Sequence, residues 1–444
     1  MVHGSGPRPA NSLHRRGGGE RLSGADASNI EIDSPQQVNV FLLAGLLGIG
    51  GFVMPGGIDM ATLRAALAAR LAGPVEGSTL VRFAQRVERE VRSLVWRDCW
   101  LDLQWHVRLT DPVDGCGGFE DMVATLMTRP LPMDRPRWEM LVVPGAGPEG
   151  PGVVLRVHHS VVDGVAGVRL AQDLFGEEPP SRATSPEAVT APRRPWVVRL
   201  RHASRGARRV GAVFRASVPR TALLGPIGPR RGVVFADVEV AALAAAAKCV
   251  GGTVNDALLA AVAGAAEAAL RADGRDVPLV LPASVPVALP DRGRSGNAVG
   301  VMMVPLRTGV ADVMERLAAI AVVTGAAKTA ARAQGTFELT RSRWGSRLFA
   351  RLARHQRFIA LFATNVRGPE RPLSVAGAPL IMAWPVAPIQ GNVRLGFAAM
   401  SYAGRLGVAV HGDAEHVRVD AAGHALSQEL SALAAGGTAR APRR

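Results

Sequence analysis

The doublet His158-His159, with Asp163-Gly164 four residues on, closes the apolar run Val153-Val154-Leu155-Arg156-Val157. Unperturbed histidine titrates near neutrality, so an imidazole at the mouth of a cleft can take a proton from one substrate and return it to another. Successive side chains on a strand point to opposite faces, so only one of the two rings can face such a cleft. That part falls to His159, and His158, the strand's last residue, is expected to turn the other way. Asp163 is expected to turn back into the protein, pair with an arginine and fix the loop. Gly164 allows the tight turn into the following helix. Acyl transfer suits a neutral base in this setting: His159 takes the proton of an acceptor hydroxyl as its oxygen attacks a thioester, then protonates the leaving thiolate. The competing structural reading is a strand that ends in two solvent-exposed histidines and an ordinary Asp-Gly turn.

The elements that must hold this motif can be read from periodicity. Val153 to His158 is expected as a strand and Val165 to Phe175 as a helix with Val165, Val168 and Ala171 on one face. Glu139 to Val143 begins another strand after the turn-rich stretch Pro132 to Arg137 and Trp138. Trp100 to Val107 alternates weakly and is also assigned as a strand. Met122 to Met127 looks helical. Leu63, Leu67 and Leu71 lie at helical spacing after the candidate caps Asp59 and Thr62. Residues 40–55 are uncharged and nearly all apolar, but the run is shorter than the roughly 20 residues of a membrane span and is broken by glycines. It reads as a buried strand, a Gly/Pro loop and a helix from Asp59.

A chain of 444 residues points to two folded units. Residues 1–20 are assigned as a polar, disordered tail, 21–176 as an N-terminal subdomain, 177–232 as a basic crossover and 233–444 as a C-terminal subdomain. In the second half, Asn255 to Leu270, Val313 to Arg332 and Ala422 to Ala434 are expected as helices. Pro278 to Pro286, Val299 to Leu306, Leu361 to Val366, Leu395 to Tyr402 and Leu406 to His411 are expected as strands. Strands and helices mix in both halves, which defines an α/β class.

The net charge of +15 favours anionic partners. Among the basic residues only Lys248 and Lys328 are lysines, which points to a GC-rich genome of the actinobacterial kind and weakens any argument that each arginine was chosen for its own chemistry. No nucleic-acid-binding motif is legible, and Tyr402 is the single tyrosine. Cys99, Cys116 and Cys249 are scattered without metal-ligand spacing, which fits a reducing cytoplasm and no metal. Between Ala188 and Ala236 there are eleven arginines and no acidic residue. Trp196, Leu200, Ala203, Ala207, Val210, Phe214 and Ser217 trace one helical face there. The segment is either a solvated crossover or a surface helix that meets an anionic membrane or lipid droplet, each arginine adding about 1 kcal/mol.

The chain resembles the bacterial wax ester synthase/acyl-CoA:diacylglycerol acyltransferase family from about Leu22 to about Ala434. Leu22-Ser23-Gly24-Ala25-Asp26 is similar to the family's opening, and Asp102-Leu103-Gln104-Trp105-His106-Val107 to its aspartate-leucine…histidine-valine stretch. Leu131 to Glu139 resembles its proline-leucine-tryptophan element, with Arg137 where leucine is usual. Asn255-Asp256, Gly296 to Leu306, Thr364 to Pro369 and Met400 to Gly404 match its later motifs in order and spacing. Leu289 stands near where the family often has an arginine. The altered positions put the usual substrate range in doubt.

The resemblance implies the fold of chloramphenicol acetyltransferase and condensation domains: two α/β subdomains, each a mixed sheet with helices, meeting at a central apolar channel. It implies His159 as the base within a catalytic motif that includes His158, Asp163 and Gly164. Trp138, Asn255, Asp256 and Asn365 are candidates for substrate-binding or structural roles. Asn255 or Asp256 can equally be a helix cap, Asn365 a turn residue before Gly368-Pro369, and the tryptophans core. Implied partners are acyl-CoA, as substrate with no separate cofactor, and a long-chain alcohol or diacylglycerol. A cytoplasmic location follows, with peripheral contact at the inner face of the membrane or at lipid bodies. A tailoring acyltransferase for a polyketide or amine, and a non-catalytic lipid-surface protein, are the alternatives.

Overall fold

The computed structural model describes residues 19–72, 78–91, 93–162, 164–176, 218–288, 299–332, 351 and 353–440. The first half contains β1 (Glu20–Arg21), α1 (Gly24–Ile32), β2 (Val40–Leu47), β3 (Val53–Met54), β4 (Gly57–Ile58), α2 (Met60–Ala72), β5 (Gln85–Arg89) and β6 (Leu94–Asp98). It continues through α3 (Leu103–His106), β7 (Val107–Leu109), α4 (Gly115–Leu126), β8 (Trp138–Val143), β9 (Gly152–His158) and α5 (Gly164–Phe175). The second half contains β10 (Arg231–Glu239), α6 (Val240–Cys249), α7 (Val254–Ala272), β11 (Val280–Ala288), β12 (Val299–Arg307) and α8 (Val313–Arg332). It closes with β13 (Leu361–Arg367), β14 (Ser374–Val375), β15 (Ala378–Val386), β16 (Leu395–Tyr402), β17 (Arg405–Asp413) and α9 (Val419–Arg440).

Two six-stranded mixed sheets carry the architecture, in the orders β14-β15-β2-β9-β8-β7 and β10-β17-β16-β13-β11-β12. The first sheet is not built from the first half alone. β14 and β15 come from the second half, and β15 pairs antiparallel with β2 from Val386↔Leu42 to Leu380↔Leu47. A strand exchanged in this way makes the two halves structurally interdependent, whatever boundary is drawn between them in sequence.

β2 explains the uncharged stretch that resembles a short membrane segment. It is flanked by β15 and β9. Leu43 and Leu47 enter the core beneath α2 and α5, while Leu42 and Ala44 face the opposite core with Phe119, Val123, Val233, Trp384 and Ala409. A strand covered on both faces has no place for charge. The loop and helix that follow also match the sequence expectation, with the Asp59 carboxylate accepting from Ala61 N–H and Thr62 N–H at 3.0 and 3.1 Å. Among the described residues no single helix is long and apolar enough to cross a membrane. α6 and α7 pass that test only as a pair bent by 92°, and both contribute to the core of the second half.

Three expectations need correction. Trp100 to Val107 is not one strand. The Asp102 carboxylate accepts from Gln104 N–H and Trp105 N–H and starts a helical turn at Leu103, and the strand begins only at Val107. A local capping bond outweighs weak alternation there. Glu20, assigned to the tail, pairs with Trp96 of β6, as Arg21 does with Val95. β10 pairs with β17 from Arg231, inside the stretch assigned as crossover, and Val218 and Leu223 before it already lie in the core of the second half. Residues 1–18 and the basic segment 177–217 lie outside the described residues.

Candidate active site

β9 delivers the histidine doublet at its C-terminal end. The register pairs Val40 with His158 and Phe41 with Val157 across β2, and Trp138 with Val157 across β8. Beyond the strand, His158 N–H donates to Arg137 O and His159 N–H to Asn39 O, both at 3.0 Å. Alternation therefore places His159 with Val157, Leu155 and Phe41 on one face, and His158 with Arg156, Val40 and Arg137 on the other.

His158 is fully buried. Its Nδ1 accepts from Ser160 N–H at 3.0 Å and lies 2.8 Å from Ser160 Oγ, which assigns the ring proton to Nε2. Nε2 stands 3.2 Å from Asp33 Oδ2, off the line of a well-aligned hydrogen bond. The same Asp33 oxygen receives Arg137 Nη2–H at 2.7 Å, while Asp33 Oδ1 receives Asn39 N–H at 3.0 Å. Arg137 also donates to Leu131 O at 3.2 Å. Burial pushes the His158 pKa down to about 4, overriding the attraction of Asp33, so the ring is neutral. Burial alone would raise the Asp33 pKa, but His158, the Asn39 N–H and Arg137 together hold it below the usual carboxylate range.

Among the described residues, the carboxylate beside the doublet is Asp33, which approaches His158. Sequence reasoning missed it because Asp33 is far from the motif in the chain. One signal pointed its way: Arg137, the departure from the family's element, is the guanidinium that pairs with it. Asp163 lies outside the described residues, and so does its expected pairing with an arginine. Gly164 opens α5, as the turn into a helix requires.

His159 is half-buried. Burial, with a smaller contribution from His158, lowers its pKa to about 4, so it is a neutral imidazole at physiological pH. Its backbone is held on both sides: the N–H by Asn39 O, and the carbonyl by Asn29 Nδ2–H at 3.3 Å. The face of β2 that it shares leads into a narrow apolar recess. It is lined by Phe41 and Leu43 of β2, Pro385 of β15 beside Leu43 in the same sheet, Gly167, Val168 and Ala171 of α5, Val366 of β13 and Met400 of β16. The recess therefore joins both halves of the chain. A β-carbon at Gly167 would stand 3.3 Å from Phe41 Cε1, so the glycine keeps the recess open there.

The remaining candidates separate into other roles. Trp138 is core: its ring is stacked between Phe83 and His106 with centroids 4.5 and 4.6 Å away, and its indole N–H donates to Phe83 O at 2.9 Å. Neither Asn255 nor Asp256 is the N-cap of α7; Thr253 is. Asp256 is the third residue of a capping box, accepting from Thr253 N–H at 2.8 Å, and its other oxygen receives Thr324 Oγ1–H at 2.7 Å. Asn255 lies in the first turn. Asn365 is not in a turn: it sits within β13, paired with Ala399, on the face of Leu361 and Ala363 rather than that of Val366. The departure at Leu289 lies outside the described residues. All three cysteines are free thiols.

Two lobes of mixed sheet with a strand shared between them define a two-lobed α/β fold of the condensation-domain type. The chain belongs to the wax ester synthase/diacylglycerol acyltransferase family: the family's catalytic-domain profile matches residues 22–216 and its C-terminal-domain profile matches residues 295–434. A Mycobacterium tuberculosis protein named for diacylglycerol O-acyltransferase activity is 29% identical over 440 residues, covering 88% of this chain and 85% of that one. Among solved structures, the wax ester synthase/diacylglycerol acyltransferase from Marinobacter aquaeolei shares the fold with a TM-score of 0.70 at 23% identity, over 94% of this chain and all (100%) of that one. A trichothecene 15-O-acetyltransferase from Fusarium sporotrichioides shares it with a TM-score of 0.62 at 11% identity, over 94% of each chain. The starter condensation domain of rhizomide synthetase follows with a TM-score of 0.54 at 14% identity, over 95% of this chain and 94% of that one.

Proposed function

We propose that this acyltransferase moves a fatty acyl group from acyl-CoA to the hydroxyl of a long-chain alcohol or a diacylglycerol, with His159 as general base. The observation that carries the reading is the neutral His159 on the face of β2 that leads into an apolar recess walled by both halves. An apolar lining suits an acyl chain and disfavours the water that would hydrolyse the thioester. The neutral imidazole takes the acceptor's hydroxyl proton as the oxygen bonds to the thioester carbon. The carbon–sulfur bond then breaks, and the imidazolium protonates the departing thiolate, leaving an ester and free coenzyme A. Base catalysis of this kind is worth roughly 3–5 kcal/mol of barrier. The acyl-CoA is substrate, and the scheme needs no further cofactor.

His158 holds the strand end as a neutral, buried ring. Asp163 and Gly164 fix the loop between His159 and α5, and a channel between the lobes admits donor and acceptor from opposite sides. The net charge of +15 and the arginine-rich segment 196–217 support peripheral binding to an anionic membrane or lipid droplet. Flotation with anionic and neutral liposomes tests this part, and equal recovery with both removes it.

The decisive assay offers palmitoyl-CoA with hexadecanol or a diacylglycerol to the purified protein and measures thiol and ester together. Equal amounts of both are expected. Thiol without ester would make the protein a thioesterase, and undiminished turnover by His159→Ala would remove the base.

A further inference from the structure

Asn39, at the start of β2, is a buried polar hub with every one of its polar groups engaged. Its N–H donates to Asp33 Oδ1 at 3.0 Å and its carbonyl accepts His159 N–H at 3.0 Å. Its Nδ2 donates to Asn29 O and Asn29 Oδ1 at 3.1 and 3.0 Å, and its Oδ1 accepts from Gln390 Nε2–H at 2.7 Å. Asn29 in turn donates to His159 O at 3.3 Å. Both backbone groups of His159 are therefore tied to one asparagine pair, and that pair is tied to the second half of the chain.

Gln390 belongs to the turn between β15 and β16, the two strands that bring Pro385 and Met400 to the recess. The turn is clamped a second time. Gln37 Nε2–H donates to Gly391 O at 2.7 Å, and Gly391 N–H donates to Gln37 Oε1 at 3.0 Å. Gly391 has φ of 69°, and a β-carbon there would stand 2.8 Å from Ala353 O, so the turn is tightly constrained. Gln37 and Asn39 of one half thus grip the adjacent residues Gly391 and Gln390 of the other, beside the residue proposed as base.

We infer that Asn39 and Gln390 are positioning residues: their hydrogen bond sets the His159 backbone relative to the second-half wall of the recess, so that base and acyl chain meet in register. This inference rests on His159 being the base. A base held by chain segments on both sides of a cleft keeps its geometry only while the seam is closed, and a displacement of about 1 Å in such a site costs about a hundredfold in rate. The role differs from simple structural support, because opening the seam should misplace the base and admit water while the fold survives.

The test compares wild type, Gln390→Ala, Asn39→Ala, the double variant and His159→Ala in the palmitoyl-CoA and hexadecanol assay, with melting temperatures alongside. Gln390 is half-buried, so its truncation is the variant that keeps the fold. Gln390→Ala is expected to lower kcat by about tenfold to a hundredfold with KM for palmitoyl-CoA within about twofold, and to release more thiol than ester. Asn39→Ala should act in the same direction, and the double variant should lose less than the product of the two single losses. Normal turnover by His159→Ala overturns the base assignment and this inference with it. An inactive His159→Ala beside a Gln390→Ala with wild-type kcat and equal thiol and ester overturns the positioning role alone.

Discussion

Asp33 Oδ2 lies 3.2 Å from Nε2 of His158, and this carboxylate also pairs with the buried Arg137 at 2.7 Å. The ion pair joins the end of α1 to the start of β8, the strand that pairs with the doublet's β9. A charge buried with its partner is far costlier to strip of that partner than to replace together with it.

Asp33→Ala leaves the Arg137 guanidinium buried without its counter-charge and should destabilise the fold by about 3–5 kcal/mol. Arg137→Leu restores the family's usual residue, and the double variant Asp33→Ala/Arg137→Leu should recover most of the loss. Urea denaturation of the three proteins checks this. If the double variant is less stable than Asp33→Ala, the pairing has been misread.

The pH dependence of kcat/KM follows from His159. Its pKa of about 4 keeps it a competent neutral base down to mildly acidic pH. The rate should be level from about pH 8 to about pH 5.5 and fall only as pH approaches 4, where the ring gains a proton. Short assays after a pH jump separate this limb from unfolding. A limb centred near 6.5 would show a ring that burial does not perturb.

Stability should respond over a wider range. His106, His158 and His411 are fully buried and, like His159, have pKa values lowered to about 4. Unfolded, each would titrate near 6.5. Between these values the unfolded chain binds protons that the folded chain refuses, so stability is complete above pH 6.5 and declines as pH falls towards 4. The depressed Asp33 adds a further loss below its unfolded value of 3.8. Thermal melts from pH 8 to pH 4.5 should show this fall, and a flat profile would contradict the burial of these rings.

Gly167 governs the width of the recess through its approach to Phe41. Gly167→Leu should fill that space and lower turnover with palmitoyl-CoA at least tenfold while sparing acetyl-CoA, because the side chain competes with acyl carbons for one volume. The ratio of the two rates at equal concentration is the measurement. An unchanged ratio would place the acyl chain elsewhere.

The sequence by itself determined whatever depends on neighbours along the chain. Strand alternation separated His158 from His159, helical spacing located α2 and α7, and the charge-free run of β2 signalled a strand covered on both faces. The order of motifs identified the family, including an Arg137 that stood out before its partner was known. Tertiary structure alone decided which distant groups meet. Asp33 reaches His158, Gln390 reaches Asn39, and β15 enters the sheet of the other half, each across more than a hundred residues. Periodicity records which face of an element is buried, but it carries no information about what is packed against that face. That depends on sheet register and on the closing of long loops, which the folded chain as a whole selects.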